Sequence, residues 1–339
     1  MSALYYRPRV QTDVHRPAQA VALAGGWTWF SQVEVLSRTA APRIVDLDDV
    51  PETVMTRLRA PRGRVAGLNL ARPNLMGILN VTPDSFSDGG VFASPQDAIE
   101  HALGMVHQGA DILDIGGEST RPGAAYVLPA EEIARTAPVI AAIRGATPVP
   151  ISIDTRKAQV AQQALAAGAN LINDVYAFTH DADLARVAAQ ADAPVCLMHA
   201  QGDPEVMQND PYYDNVLLDV YDFLEQRIAV AEAAGIARAR ILVDPGIGFG
   251  KTVAHNLTLL NRISLFHSLG CGVLLGASRK RFIGTLCDVP EATDRVIGSV
   301  AVALAAVAQG VQILRVHDVV QTKQALAVWQ AVTSGDDTQ

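Results

Sequence analysis

Eight short apolar runs between residues 75 and 316 constrain the fold of this chain more than any other feature. They show almost none of the apolar–polar alternation of a half-exposed strand. Such continuous apolar runs are typical of parallel strands that are covered on both faces. Helical patterns lie between the runs, and Gly168, Gly235 and Gly310 stand where three of these helices should end. The clearest helical patterns are Gln159–Ala167, Val216–Ala234 and Arg295–Gln309. The apolar runs are Leu75–Val81, Ile112–Ile115, Val149–Ile153, Leu171–Ile172, Val195–Met198, Ile241–Val243, Val273–Leu275 and Ile313–Val316.

Eight strands alternating with helices predict an α/β protein, a closed (β/α)8 TIM barrel over residues 71–333. The alternative is an open doubly wound sheet, which usually has a glycine-rich dinucleotide turn after its first strand; that turn reads NVTPDSFSDGG here. Residues 1–70 do not follow the repeat and form an extra N-terminal segment of unknown role, in which AVALAGGWTWF suits a hairpin or a plug under the barrel. Residues 334–339 are expected to be a frayed tail.

Composition and charge exclude several classes of protein. The chain has 27 basic and 35 acidic side chains, a net charge of −8 and no long run of like charge, so we expect it to bind neither nucleic acid nor an acidic membrane surface. The three cysteines, Cys196, Cys271 and Cys287, are far apart and show no CxxC spacing. They predict reduced thiols in a cytoplasmic protein. The N-terminus lacks the basic stretch followed by a long apolar one that marks a signal peptide, and no segment has the apolar length of a membrane span.

Polar residues stand at the ends of the apolar runs. In a barrel the carboxyl ends of all strands open on one rim, where the active site lies. A single Asp after a strand is usually a helix N-cap, as Asp174 or Asp181 would be, but mixed polar ends on eight consecutive strands indicate a binding site. The rim residues are Asn80, Asp114, Asp154, Asn173, Asp174, His199, Asp244, Ser278, Arg279, Lys280, Arg315 and His317.

The rim residues fall into two chemical groups. Asn and Asp side chains suit the ring N–H, amino and carbonyl groups of a flat heterocycle. The cations Lys280, Arg315 and His317, with Arg279 as a further candidate, follow the seventh and eighth strands, where barrels usually bind phosphate. Asn80 together with substrate phosphates would suit Mg²⁺, which uses few protein ligands, whereas no His/Cys cluster has zinc spacing. His199 fits a structural role as well as a functional one.

Three glycine-containing loops follow the runs. DPGIGFGKT (244–252) is not a phosphate-binding P-loop, because Pro245 stands where that motif needs a glycine. Its glycines are expected to let the chain pass close to a planar ligand, with Phe249 and Lys251 near it. TPDSFSDGG (82–90) and GGESTRPGA (116–124) are long for barrel loops and are expected to act as lids rather than plain surface loops.

The strings around the predicted strand ends are long and specific. They are GILNVTPDSFSDGG (77–90), DILDIGGESTRPGA (111–124), SIDTRK (152–157), NLINDV (170–175), VCLMHAQGDPEVMQ (195–208), ILVDPGIGFGKT (241–252), GASRKRFIG (276–284) and ILRVHD (313–318). In this order and spacing, over about residues 75–330, they resemble the dihydropteroate synthases. Ala200 departs from that family, which often has Met there, and residues 1–70 lie outside the resemblance.

The resemblance implies a transferase of folate biosynthesis. Such an enzyme condenses 6-hydroxymethyl-7,8-dihydropterin pyrophosphate with p-aminobenzoate, giving 7,8-dihydropteroate and pyrophosphate, with Mg²⁺ as cofactor and sulfonamides as inhibitors. One alternative is a pterin-binding methyltransferase on the same barrel, which would pass a methyl group from a folate to a corrinoid and needs no anion site. Another is a non-catalytic pterin-binding paralogue.

The resemblance also implies the role of each site residue. Pterin would be held by Asp114, Asp154, Asn173, Met198, Asp244, Phe249 and Lys280. Pyrophosphate would be held by Asn80, Arg315 and His317, with Mg²⁺ at Asn80. p-Aminobenzoate would be held by Phe86, Ser119, Thr120, Arg121, Pro122 and Ser278. The residues expected to act in catalysis are Asn80, Asp154, Lys280, Arg315 and His317.

The segment RVIGSVAVALAAVAQ (295–309) is apolar on nearly every side. A helix of this kind is covered on two faces. We therefore predict a homodimer that forms through the helices associated with the seventh and eighth strands.

Overall fold

The structure, a computed structural model, describes residues 3–81, 94–119, 124–202, 207 and 210–335. The strands are β1 (Leu4–Pro8), β2 (Val21–Ala22), β3 (Trp29–Phe30), β4 (Gln32–Ser37), β5 (Arg43–Asp46), β6 (Asn74–Asn80), β7 (Ile112–Gly116), β8 (Ile151–Asp154), β9 (Leu171–Asp174), β10 (Val195–Met198), β11 (Ile241–Asp244), β12 (Gly272–Leu275) and β13 (Ile313–Val316). The helices are α1 (Glu52–Arg59), α2 (Pro95–His107), α3 (Pro129–Ala146), α4 (Ala158–Ala166), α5 (Asp183–Gln190), α6 (Val216–Ala233), α7 (Val253–Asn261), α8 (Arg281–Cys287), α9 (Val296–Val307) and α10 (Val319–Ser334).

Strands β6 to β13 form a closed barrel. Each strand pairs in parallel with the next, and β13 returns to pair with β6. All eight apolar runs of the sequence become barrel strands, so the predicted (β/α)8 barrel is confirmed and the open doubly wound sheet is wrong. The three predicted capping glycines follow α4, α6 and α9 with positive φ, at 114° for Gly168, 99° for Gly235 and 85° for Gly310.

Side chains inside the barrel are stacked in layers. Because successive side chains of a strand point to opposite faces, every second residue faces the interior. The lower layer is apolar and includes Met76, Ile112, Leu171, Cys196, Leu242, Leu274 and Ile313. Two positions further along β7, β9, β11 and β13 stand Asp114, Asn173, Asp244 and Arg315. The apolar layer inside the barrel is therefore followed directly by a layer of polar side chains at the rim.

The N-terminal segment forms a separate layer on the outside of the barrel. β1, β4 and β5 make a three-stranded antiparallel sheet, and β2 pairs with β3 in a hairpin, so AVALAGGWTWF is a hairpin. The layer has its own apolar core, which includes Leu23, Phe30, Val33, Val35 and Leu58. The plug under the barrel is made by other residues: Val65, Leu68 and Leu70 pack on the apolar lower layer of the barrel.

Hydrogen bonds and ion pairs fasten the N-terminal layer to the barrel. Tyr5 donates to Oδ2 of Asp222 on α6 at 2.9 Å, and the indole of Trp27 donates to the carbonyl of Val307, the last residue of α9, at 3.0 Å. At the other end of the chain α10 continues through Ser334, and the rest of the predicted tail, residues 336–339, lies outside the described residues. Among the described residues, no helix combines the length and apolarity needed to cross a bilayer.

Candidate active site

Arg315 on β13 joins two buried carboxylates at the rim. Its Nε lies 2.6 Å from Oδ2 of Asp114, and its Nη2 lies 2.8 Å from Oδ2 of Asp154. Asn173 on β9 donates to the same Asp114 oxygen at 3.2 Å. Four of the predicted site residues, from β7, β8, β9 and β13, therefore form one hydrogen-bonded cluster.

Three buried polar atoms at this cluster have no hydrogen-bond partner among the described residues: Oδ1 of Asp114, Oδ1 of Asp154 and Oγ of Ser152. Leaving such an atom unpaired costs about 1–3 kcal/mol, so a ligand can satisfy the two carboxylate oxygens as acceptors and the hydroxyl as donor or acceptor. Ser152 was missed by the sequence analysis, which considered only strand ends. Its position two residues before Asp154 on β8 could have identified it, since both face the barrel interior.

The opposite side of the rim combines a carboxylate, a cation and an apolar wall. Gly276 leaves a gap between Asp244 and Arg315: a Cβ there would lie 3.6 Å from Oδ2 of Asp244 and 3.7 Å from Cδ of Arg315. Nζ of Lys280 lies 4.4 Å from the ring centroid of Phe249. Phe249 packs against the small apolar cluster that contains Met198. A flat ligand between these groups would meet polar edges and apolar faces.

The predicted anion-binding residues also lie at the rim. Nδ1 of His317 is 3.0 Å from Oγ of Ser278, and the backbone N–H of His317 donates to the same oxygen at 3.2 Å. Asn80, at the end of β6, lies beside Asp154 across Gly116: a Cβ on Gly116 would be 3.6 Å from Oδ1 of Asn80 and 3.8 Å from Oδ2 of Asp154. The structure thus brings the pterin and anion candidates to one opening.

Burial shifts the ionisation of the rim. It raises the pKa of the Asp154 carboxyl. The charge of Arg315 lowers this pKa, and the nearby carboxylate of Asp114 offsets part of that lowering. Burial also raises the pKa of Asp244, against the opposing charge of Lys280. The pKa of Lys280 is lowered to about 8, mainly by burial, although Asp244 acts in the other direction. These charges are costly without a ligand, which is typical of functional sites.

Two candidate ligand-binding cations have structural roles instead. Arg279 donates from Nε to Oδ2 of Asp318 at 3.0 Å, so its guanidinium is already paired and it is a poor candidate for the anion site. Lys251 is buried beneath the loop that follows β11, where Nζ donates to the carbonyl of Gly246 at 2.8 Å. Lys251 was expected near a planar ligand, but its amino group is already engaged by backbone carbonyls of the loop.

Asp181 caps a helix as predicted, whereas Asp174 binds the N–H groups of the turn that follows β9 and caps none of the described helices. Both carboxylate oxygens of Asp174 accept backbone N–H groups, from Tyr176 at 2.9 Å and from Phe178 at 2.7 Å. Asp181 accepts the N–H of Ala158, the first residue of α4, at 2.8 Å. His199 is also structural, since it is buried with Nδ1 2.9 Å from Nζ of Lys251.

The p-aminobenzoate candidates are only partly described. Phe86, Thr120, Arg121 and Pro122 lie outside the described residues, whereas Ser119 and Ser278 lie within them. Ser119 is half-buried and follows Glu118, whose carboxylate is held by Arg156 at 3.1 Å and accepts the N–H of Val127 at 2.9 Å. Glu118 and Val127, which lie on either side of residues 120–123, are therefore hydrogen-bonded to each other.

Comparisons with known proteins agree with this geometry. The family model described as "Pterin binding enzyme" matches residues 76–317, which begin inside β6 and end at His317. The dihydropteroate synthase of Escherichia coli (strain K12) is 47% identical over 270 residues, which make up 80% of this chain and 95% of that protein.

Solved structures give the same result. The dihydropteroate synthase of Xanthomonas albilineans with 4-aminobenzoic acid superposes with a TM-score of 0.75 at 48% identity, covering 79% of this chain and 97% of that one. The enzyme from the same organism in complex with 7,8-dihydropteroate gives a TM-score of 0.72 at 46% identity, covering 79% of this chain and 96% of that one. These matches agree with the family match, which spans the barrel strands from β6 to β13.

Proposed function

The chain belongs to the dihydropteroate synthases, a family of pterin-binding enzymes, and from this we infer what each part of its barrel rim does. It is a transferase that condenses 6-hydroxymethyl-7,8-dihydropterin pyrophosphate with p-aminobenzoate, giving 7,8-dihydropteroate and pyrophosphate. The observation that carries the assignment of the site is the cluster of Arg315, Asp114, Asp154 and Asn173, with its unpaired buried oxygens.

The pterin ring would lie across this cluster. Oδ2 of Asp114 and of Asp154 is already engaged by Arg315, which leaves Oδ1 of each carboxylate to accept ring N–H and amino groups. Asp244 and Lys280 supply a second acceptor and a donor on the opposite side. Met198 and Phe249 supply apolar contact to the ring faces. The set gives each edge of the heterocycle a complementary group.

The pyrophosphate would lie on the side of Asn80, Arg315 and His317. Mg²⁺ would be held there by the substrate's phosphates together with few protein ligands. The amide oxygen of Asn80, next to Asp154, is a suitable single protein ligand. When bound, Mg²⁺ would neutralise charge that develops on the leaving pyrophosphate.

The reaction needs no nucleophile from the protein. The C–O bond to pyrophosphate breaks, and the electron-rich dihydropterin stabilises the positive charge left on the methylene carbon. Asp154, close to this charge, favours it electrostatically. The amino nitrogen of p-aminobenzoate then forms the C–N bond and loses a proton. Arg315 and His317 stabilise the departing anion.

p-Aminobenzoate would reach the methylene carbon from the side of Ser278, Ser119 and the predicted loop residues Phe86, Thr120, Arg121 and Pro122. Water must be kept from the same carbon, since it would trap the cation. Competition between sulfonamides and p-aminobenzoate at this site remains a prediction.

Two further proposals concern the whole molecule. We expect a homodimer through the helices associated with the seventh and eighth barrel strands, because α9 exposes Ile297, Ala301 and Ala305 and α10 exposes Val328 and Val332. We also expect the enzyme to act in the cytoplasm, where its free cysteines would stay reduced.

The proposed function is tested by pyrophosphate release. The protein is incubated with dihydropterin pyrophosphate, p-aminobenzoate and Mg²⁺, and pyrophosphate and dihydropteroate are measured together. Equal amounts of both products are expected. Release no faster than in a blank without enzyme would sink the proposal.

A further inference from the structure

Lys251 is buried, although neither the pterin pocket nor the pyrophosphate site described above uses it. The residue is 3% exposed, and it comes directly after the loop of residues 245–250 that follows β11. Long cationic side chains are rarely buried unless their polar end is fully engaged. What surrounds Nζ therefore bears on why a lysine stands here.

Three carbonyl oxygens and one histidine ring nitrogen surround Nζ of Lys251. It donates to the carbonyl oxygens of Gly246 at 2.8 Å, of Phe249 at 3.0 Å and of His199 at 3.4 Å, and it lies 2.9 Å from Nδ1 of His199. Across the described parts of the chain, no carboxylate lies within ion-pair distance of Nζ. An ammonium ion has three N–H donors and a neutral amine two, so Nζ can donate to all three carbonyls when protonated and to two of them when neutral.

The glycines of the loop allow its carbonyls to face inward. Gly246 has φ of 68° and Gly250 has φ of 63°, in the left-handed region where a side chain is strained. A Cβ on Gly246 would lie 1.8 Å from the carbonyl oxygen of His199, and one on Gly250 would lie 2.5 Å from that of Gln201. The loop is thus folded tightly onto the segment that follows β10, with Lys251 at the centre.

The outer side of the same loop carries two proposed pterin contacts. Phe249 packs against the apolar cluster that contains Met198, and its ring lies 4.4 Å from Nζ of Lys280. Lys280 also donates to the carbonyl of Ile247. A Cβ on Gly248 would lie 3.1 Å from Cδ of Lys280, so the loop backbone directly supports the lysine stem.

We propose that Lys251 is a positioning residue for the pterin pocket: a buried lysine whose amino group gathers the loop carbonyls and so fixes Phe249 and Lys280 against the pterin ring. This proposal rests on the proposed function, because it assumes that Phe249 and Lys280 contact a pterin. It assigns a purpose to the end of the DPGIGFGKT string, which resembles a phosphate-binding loop but turns its lysine inward.

The test compares Lys251→Met, which keeps a long stem and removes the donors, with Lys323→Met, the same change at an exposed lysine on α10. Removing a buried, multiply hydrogen-bonded donor should weaken the affinity for a bare dihydropterin, measured by calorimetry, about tenfold. The KM for the pterin substrate should rise by a similar factor, while the KM for p-aminobenzoate changes less than about twofold. Lys323→Met should behave as the wild type.

A purely structural role would give a different result. Lys251→Met would then lose thermal stability and kcat while both KM values and the affinity for bare pterin stayed at wild-type levels, and that outcome would overturn the proposal. If Lys251→Met does not fold, His199→Phe is the second variant. It removes one acceptor but keeps a ring against Phe223, whose centroid is 4.8 Å away.

His199→Phe should show the same selective loss of pterin affinity, and unchanged affinity would again overturn the role of Lys251. Failure of the proposed function looks different from either result, because the wild-type protein itself would then bind no pterin and release no pyrophosphate.

Discussion

Arg315 lies between two buried carboxylates, and this decides how its contact with pyrophosphate can be tested. Its guanidinium pairs with Asp114 and with Asp154, which also hold the proposed pterin site. Removing one partner of a buried ion pair leaves the other charge uncompensated. Alanine at position 315 would therefore disturb the ring pocket together with the anion site, and it cannot separate the two.

His317 separates them. Its Nδ1 lies 3.0 Å from Oγ of Ser278, on the side of the rim proposed to hold pyrophosphate, so His317→Ala should raise the KM for dihydropterin pyrophosphate about tenfold, as loss of one charge-assisted hydrogen bond would. Binding of a bare dihydropterin, measured by calorimetry, should not change. His107→Ala on α2 is the control, because that histidine is exposed. Equal losses for the ester and the bare pterin would contradict the division of the rim.

The ionisation of two rim residues predicts the pH dependence of catalysis. Burial raises the pKa of Asp154 above the ordinary carboxyl range, so as the pH falls it becomes neutral and loses its ion pair with Arg315. The pKa of Lys280 is lowered to about 8, so its charge is lost as the pH rises through that value. We expect a bell-shaped profile of kcat/KM for the pterin substrate.

Lys280→Arg should remove the basic limb of that profile, because a guanidinium stays protonated throughout the measured range. The acid limb should remain in this variant. An alkaline limb at the wild-type pH would show that another group is responsible for it.

At the scale of whole elements, the strands were predictable because burial on both faces leaves a nearly continuous apolar run. The rim followed from them, since the residue that ends each parallel strand must face one opening. Ser152 was missed because it lies one layer deeper. The orientation of Lys251 was missed because it depends on the positive φ of Gly246 and Gly250, and residue type alone does not fix which way those peptides turn.

The plug under the barrel was also missed, because Val65, Leu68 and Leu70 precede the first strand and show no regular period. Their packing is nevertheless specific. Gly272 on β12 has no side chain, and Leu70 fills the space: a Cβ at position 272 would lie 2.9 Å from Cδ1 of Leu70. The lower layer of the barrel is completed by residues from outside the repeat.

Leu70→Ala should therefore destabilise the barrel by about 2–5 kcal/mol, as expected for a cavity at a fully buried leucine. Urea unfolding monitored by circular dichroism measures the change. Leu4→Ala, at a leucine 47% exposed on β1, is the matched control and should cost far less. A loss no larger than that of the control would show that the plug is dispensable.

At the scale of the whole molecule, the N-terminal layer covers one side of the barrel, and apolar side chains stay exposed on another side. It reaches α6 through Tyr5 and the end of α9 through Trp27. The neighbouring face, made by α8 and the first turns of α9, keeps Leu286 56% exposed and Ile297 86% exposed. Leu286 lines one cavity together with Ala301 and Ala305 of α9, and an exposed apolar patch of this kind is typical of a protein–protein interface.

A second copy of the chain is the occupant we predict for this face, and a charge there should prevent association. Ile297→Glu would bury an unpaired carboxylate in the interface, which costs several kcal/mol in each of the two symmetry-related contacts. Light scattering at micromolar concentration should give twice the chain mass for the wild type and the single chain mass for Ile297→Glu. Val14→Glu, at an exposed valine of the N-terminal layer, should remain dimeric. A wild-type protein that is monomeric under these conditions would refute the dimer, and the apolar face would then need another partner.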